Sequence, residues 1–135
     1  MTGPAPHTID ELDVTTKSSS RSVADTVSRF TAMLEEKGVR VFDVIDQAAA
    51  ARDVGQDLRE TVLVIFGNPA AGTPVMVASP MAALDLPLKV LVWDDSGETK
   101  VSYYSPASVA RRHGLSAELS KALAVIDPLT DALVT

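Results

Sequence analysis

Apolar positions along this chain change their period several times, and each change marks an element. Val23, Val27, Phe30 and Leu34 recur at spacings of four, three and four after the capping pair Ser22 and Asp25. They predict a helix with one buried face, closed by Gly38 in the left-handed position past its end. Val39, Val41, Phe42, Val44 and Ile45 are β-branched or aromatic and mostly alternate, as a half-buried strand running to Asp46 would. The alanine-rich segment from Gln47 to Val54 predicts a short helix closed by Gly55, and the unbroken apolar run from Thr61 to Phe66 predicts a strand inside a sheet. That strand breaks abruptly into Gly67-Asn68-Pro69-Ala70-Ala71-Gly72-Thr73, a loop bounded by Gly and Pro that carries one isolated amide. Beyond it, Pro74 suits a helix start and Pro80 its end, which places a short helix over residues 73–83.

The second half opens with two alternating runs, Pro87 to Trp93 and Glu98 to Tyr104, joined by Asp94-Asp95-Ser96-Gly97, the signature of a β-hairpin. Pro106 to His113 predicts a short helix stopped by Gly114. Ser116 then caps a longer one with Leu119, Leu123 and Ile126 on its face, broken or restarted at Asp127-Pro128 with Asp as cap. Residues Met1 to about Glu11 hold Gly3, Pro4 and Pro6 without periodicity and predict a flexible tail, entering a first strand from Leu12 to Ser18. The order gives about five strands in a mainly antiparallel sheet with helices on one face, an α+β two-layer sandwich forming a single domain over residues 12–135.

Composition narrows the functions open to such a sandwich. A chain of 135 residues with 46% hydrophobic residues buries roughly two-thirds of its unfolded surface as one globular unit. Lys and Arg number 12 against 18 acids, a net charge of -6, which argues against nucleic acid and anionic membrane surfaces as partners. Cysteine is absent, so thiol nucleophiles, disulfides and thiolate metal sites are excluded. With neither a basic-then-apolar leader pattern nor about 18 consecutive apolar residues, the expectation is a cytoplasmic protein away from the membrane.

Several separated segments, in order, carry a resemblance: Ile45-Asp46; Phe66-Gly67-Asn68-Pro69 with Gly72-Thr73 and Met76; Leu84-Asp85-Leu86-Pro87-Leu88-Lys89; and Arg112-His113-Gly114-Leu115. Together they resemble the prokaryotic family called domain of unknown function 302, over about Leu12 to Lys121. The resemblance implies an α+β fold with a topology like that of the TATA-binding protein, and a homodimer. It implies no established activity. The family commonly has histidine where this chain has Gln47, so any acid-base or metal role of that histidine is lost here.

The candidate site residues each have a structural alternative. Gly67 and Gly72 superficially frame a phosphate-binding loop, but Thr73 stands where its lysine would be, so nucleotide hydrolysis is not expected. Asn68 either closes a turn, as Asn before Pro often does, or contacts a ligand. Asp46 ends a strand and Asp85 leads toward the hairpin, so they could share a cleft as an acid-base pair, or Asp85 could cap backbone amides. Arg112 could pair with either acid and mark an anion-binding cleft, although a helix end alone accounts for Arg111-Arg112-His113. The other histidine, His7, lies in the tail, and without cysteine a zinc site is not expected. Trp93, Tyr103 and Tyr104 on the hairpin suit core packing or a dimer contact better than base stacking in so acidic a chain.

Two functions follow. The first is a homodimeric cytoplasmic module without cofactor or metal, binding a small polar ligand or a partner protein near Asn68, Asp46, Asp85 and Arg112. The alternative is an enzyme, a hydrolase or isomerase, using the Asp46 and Asp85 carboxylates on a small anionic substrate.

Overall fold

The computed structural model describes residues 13–135, so the expected tail over residues 1–11 lies outside the described residues. In chain order the elements are β1 (Val14–Ser19), α1 (Val23–Glu36), β2 (Arg40–Asp46), α2 (Gln47–Asp53), β3 (Thr61–Gly67), α3 (Pro69–Ala78), a 3-10 turn (Pro80–Leu84), β4 (Leu88–Asp95), β5 (Glu98–Tyr104), α4 (Pro106–His113), α5 (Ala117–Ala124) and α6 (Ile126–Val134). The five strands form one sheet in the order β1-β5-β4-β3-β2, with every neighbouring pair antiparallel. It is the expected α+β sandwich.

Period-two alternation sorts the sheet residues. Val62, Val64 and Phe66 on β3, Val90 and Val92 on β4, and Val101 and Tyr103 on β5 point to one face and are buried there. Against them lie Phe30 and Leu34 of α1 and Ile126, Leu129 and Leu133 of α6, one contiguous core. Phe30 meets Phe66 edge to face, with ring centroids 5.1 Å apart and planes at 84°, the arrangement the ring quadrupoles favour. Ser22 caps α1 as the sequence predicts, its hydroxyl accepting from the Asp25 amide at 3.0 Å.

A polar clamp holds α6 against the first strand. Lys17 of β1 donates to the Thr130 hydroxyl at 2.6 Å and pairs with Asp131 at 2.8 Å. The Tyr103 hydroxyl donates to Asp127 at 2.5 Å. Burial raises the Tyr103 pKa, and acceptance by Asp127 raises it further. For Lys17 burial is the largest single influence and works against the charge, but Asp131 and Tyr103 together outweigh it and the ammonium sits above its ordinary value.

Two helix boundaries differ from the sequence prediction. The third helix starts at Pro69, not Thr73, and ends at Ala78, with Pro74 inside it and the 3-10 turn beyond Ser79. Asn68 and Pro69 together supply a cap and a first-turn residue that needs no N–H, and this start extends through an exposed Pro74 whose missing N–H is open to replacement by water. The break between the last two helices falls at Val125 rather than Asp127-Pro128. Asp127 is not the cap there, because its carboxylate is engaged by Tyr103.

Candidate functional site

Each strand that ends in a helix does so through a side-chain cap, and two of the predicted ligand residues are such caps. Asp46 closes β2 and accepts from the Ala49 amide at 2.9 Å, starting α2. Asn68 closes β3 and its Oδ1 accepts from the Ala70 amide at 3.0 Å, while its backbone carbonyl accepts from Ala71 and Gly72, both at 2.9 Å. Pro69 has no amide proton. The first turn of α3 therefore offers no free N–H to an anion, and the resemblance of this segment to a phosphate loop ends there.

The expected Asp46–Asp85 pair does not form. Asp46 pairs with Val62 at one end of β3, whereas β4 begins at Leu88 opposite Phe66, at the other end. Four residues of strand separate those levels, about 13 Å at the usual rise. Asp85 lies beyond Leu88, and the two carboxylates turn to different helices, Asp46 to α2 and Asp85 to α4. They cannot act on one reacting atom.

Asp85 instead joins Arg112, one of the two pairings open to that arginine, and also His113. One oxygen, Oδ2, accepts from Arg112 Nη1 at 2.7 Å and is hydrogen-bonded to His113 Nε2 at 2.6 Å. The cluster ties the 3-10 turn to the last turn of α4, and Ser79 adds a hydrogen bond to the His113 carbonyl at 3.3 Å. Arg112 lies over the Tyr104 ring at 5.4 Å. Burial pushes the Asp85 pKa up, but the His113 and Arg112 hydrogen bonds together outweigh it, so the carboxyl lies below its ordinary value. Arg112 is correspondingly raised by that hydrogen bond. Gln47, where the family commonly has histidine, is an exposed residue of the first turn of α2.

The cavity of interest lies beside Asn68 but has a different chemistry from the one expected. It encloses about 410 Å³ between the ends of β3 and β4, α3 and α5, with Phe42, Phe66, Met76, Leu88 and Leu123 among its walls. Among the described residues Asn68 and Lys121 are the only polar side chains lining it, so its walls suit an apolar body better than the small polar ligand expected from the sequence. The Leu86-Pro87 segment packs beside Gly67, where a Cβ would stand 3.5 Å from the Pro87 Cβ, an ordinary contact. Gly72 leaves its part of the wall open, with nothing within 4 Å of a Cβ. Phe42 reaches the cavity because a register shift between Val41 and Asp43 leaves it unpaired, and Arg40 stacks over its ring at 4.8 Å. The broken alternation at Val41-Phe42 was the available signal for that bulge. Nothing in the periodicity of α5 announced that Lys121 and Leu123 would close the far wall. Among the described residues no group of three or more His, Asp or Glu could hold a metal ion.

Two outcomes follow from these contacts. Asn68→Ala removes the α3 cap and should lower stability by about 1 kcal/mol, with Asn68→Asp restoring most of it. An unchanged urea midpoint for Asn68→Ala would show that the side chain does not support the helix. Asp85→Asn should lower the midpoint at neutral pH, where the charged carboxylate is fully paired. Because the folded pKa is depressed below 3.8, that contribution is present above 3.8 and lost as pH falls through the lower folded value, so wild type and variant should converge once the pH is below it. A deficit independent of pH would point to packing rather than to the ion pair.

Comparison with known proteins bears on the family and the fold. Over 115 residues the chain is 38% identical to the fluoride-specific ion channel FluC 1 of Brucella suis biovar 1 (strain 1330), covering 83% of this chain and 45% of that protein. The FluC 2 channel of Brucella melitensis biotype 1 (strain ATCC 23456 / CCUG 17765 / NCTC 10094 / 16M) matches equally well, with 43% of its length covered. The chain thus spans less than half the length of these relatives, and among its described residues no helix is long and apolar enough to cross a membrane. The crystal structure of an uncharacterized conserved protein DUF302 from Bacillus stearothermophilus shares the fold, with a TM-score of 0.75 over 90% of this chain and 94% of that one, at 20% identity. The family model for the domain of unknown function DUF302 matches residues 14–133, and the chain belongs to that family.

Proposed function

We propose that this protein is a non-catalytic, cytoplasmic, homodimeric binding module whose ligand enters the cavity beside Asn68. The observation that carries this reading is the cavity itself: about 410 Å³ of apolar space with two polar side chains at its wall, a size and lining suited to a small molecule. Its walls favour an occupant with an aromatic or hydrocarbon body. The Asn68 amide nitrogen, which has no protein partner among the described residues, would donate to a single polar group, and the Lys121 ammonium would join it by leaving its exposed partner Glu118, now 3.0 Å away. A partner protein inserting one apolar side chain would use the same walls.

Gly72 provides the test. It lies in a helix with open space beside it, so Gly72→Ala should raise stability by about 0.5–1 kcal/mol. Gly72→Leu should fill the cavity without unfolding the chain. Wild type should bind octanoate or anilinonaphthalene sulfonate at one saturable site, and Gly72→Leu should weaken that binding at least about tenfold. Equal binding by a folded Gly72→Leu, or none by wild type, would remove the cavity reading.

The Brucella channels support a second reading, in which the module serves a fluoride-specific channel, since the matching segment there forms part of a protein bearing that name. Cells lacking this protein should then be more sensitive to fluoride. Unchanged growth across a fluoride series would count against this reading while leaving the cavity reading intact.

A further inference from the structure

The face of the sheet turned away from the core is itself apolar. Ile45, Leu63 and Leu91 are directly opposed across β2, β3 and β4, and the flanking rows add Ile65 and Trp93. All five are partly exposed, and none belongs to the core beneath α1 and α6. Trp93 donates from its indole nitrogen to the Ser102 hydroxyl at 3.0 Å, two residues along the neighbouring strand from its direct partner Lys100. The ring therefore leans across the sheet rather than away from it, extending the apolar surface toward β5.

We infer that this face, open among the described residues and centred on Leu63 and Leu91, is the contact between two copies of the chain, an inference resting on the homodimer of the reading above. The charge pattern fits a second copy as the occupant. Two identical chains of net charge -6 repel each other, and a self-docking face must avoid setting acids against acids. This face carries both signs: Asp43 and Lys89 flank Ile65 in one row, and Lys100, with Glu98 and Asp95, lies toward the hairpin end. A two-fold operation can bring the acids of one copy to the lysines of the other around an apolar centre, the usual anatomy of such a contact. The area suffices as well. Five strands about 4.8 Å apart and about 20 Å long present on the order of 500 Å² in projection, and the relief of the side chains brings this toward the ~800 Å² per partner of an ordinary dimer. A ring such as Trp93 at the contact is a common energetic anchor.

Sedimentation of the full chain, with cooperative melting as the check on folding, tests the assignment. Wild type should be dimeric at micromolar concentration. Leu91→Lys should weaken the dimer at least about a hundredfold, because it buries an unpaired charge at the centre of the contact. If Leu91→Lys loses its cooperative transition, Ile45→Lys on the edge strand replaces it with the same expectation. Val77→Lys, on the exposed side of α3, should leave the dimer intact. A monomeric wild type would overturn both the homodimer and this face, leaving the cavity reading untouched. A dimer that survives folded Leu91→Lys or Ile45→Lys, or one that Val77→Lys dissociates instead, would overturn the face while keeping the homodimer.

Discussion

The alternation of residues along β3 and β4 governs where everything else in the molecule sits. Val64, Phe66, Val90 and Val92 are fully buried on one face, and Phe30 of α1 closes against Phe66 in an edge-to-face contact. A slip of one residue in either strand would send these side chains to the other face and bring Leu63, Ile65 and Leu91 inward, with Lys89 among them. Lysine in that core would have no partner, so the register is strongly specified by both faces at once. Fixing it also fixes the strand ends, and the ends of β3 and β4 set the position of the cavity beside Asn68.

Those strand ends are converted to helices by short polar side chains. Asp46 and Asn68 each use a side-chain oxygen to satisfy an amide that the helix leaves open, and Ser22 does the same for α1. A residue committed to a cap is held in one rotamer and loses part of its capacity for a ligand. For Asp46 this, together with its place at the far end of β3, accounts for its separation from the cavity. For Asn68 only the carbonyl oxygen is committed, so cap and ligand contact are compatible in one side chain.

Much of the fold was legible because its period signals are strong and local. The residues at 23, 27, 30 and 34 specify α1, and the Asp94-Asp95-Ser96-Gly97 turn specifies the hairpin. What escaped were effects decided by two segments at once. The sequence around Pro74 argues for a helix start on local grounds, yet the Asn68 cap five residues before Thr73 wins, because a capped helix with Pro in its first position is already nucleated. The charge of Arg112 left it open to either Asp46 or Asp85, and the bond from His113 to Asp85 had no signal in the sequence. The apolar character of the cavity was not legible either, since Phe42, Leu88 and Leu123 come from three distant segments whose convergence no periodicity describes.

The electrostatics of Asp85 separate binding from catalysis more sharply than the absence of any one residue type. A carboxyl acting as general acid near neutral pH needs its proton held, which requires burial or a neighbouring acid to raise its pKa. Asp85 is the reverse case, with two donors on a single oxygen and a pKa depressed below the ordinary range. As a general base it would be weakened for the same reason, since its charge is already stabilised by Arg112 and His113. The other acid considered, Asp46, lies at the opposite end of β3 and does not alter this balance. The cluster is built to hold α4 against the 3-10 turn, and the chemical opportunity in this part of the fold is the apolar space next to it.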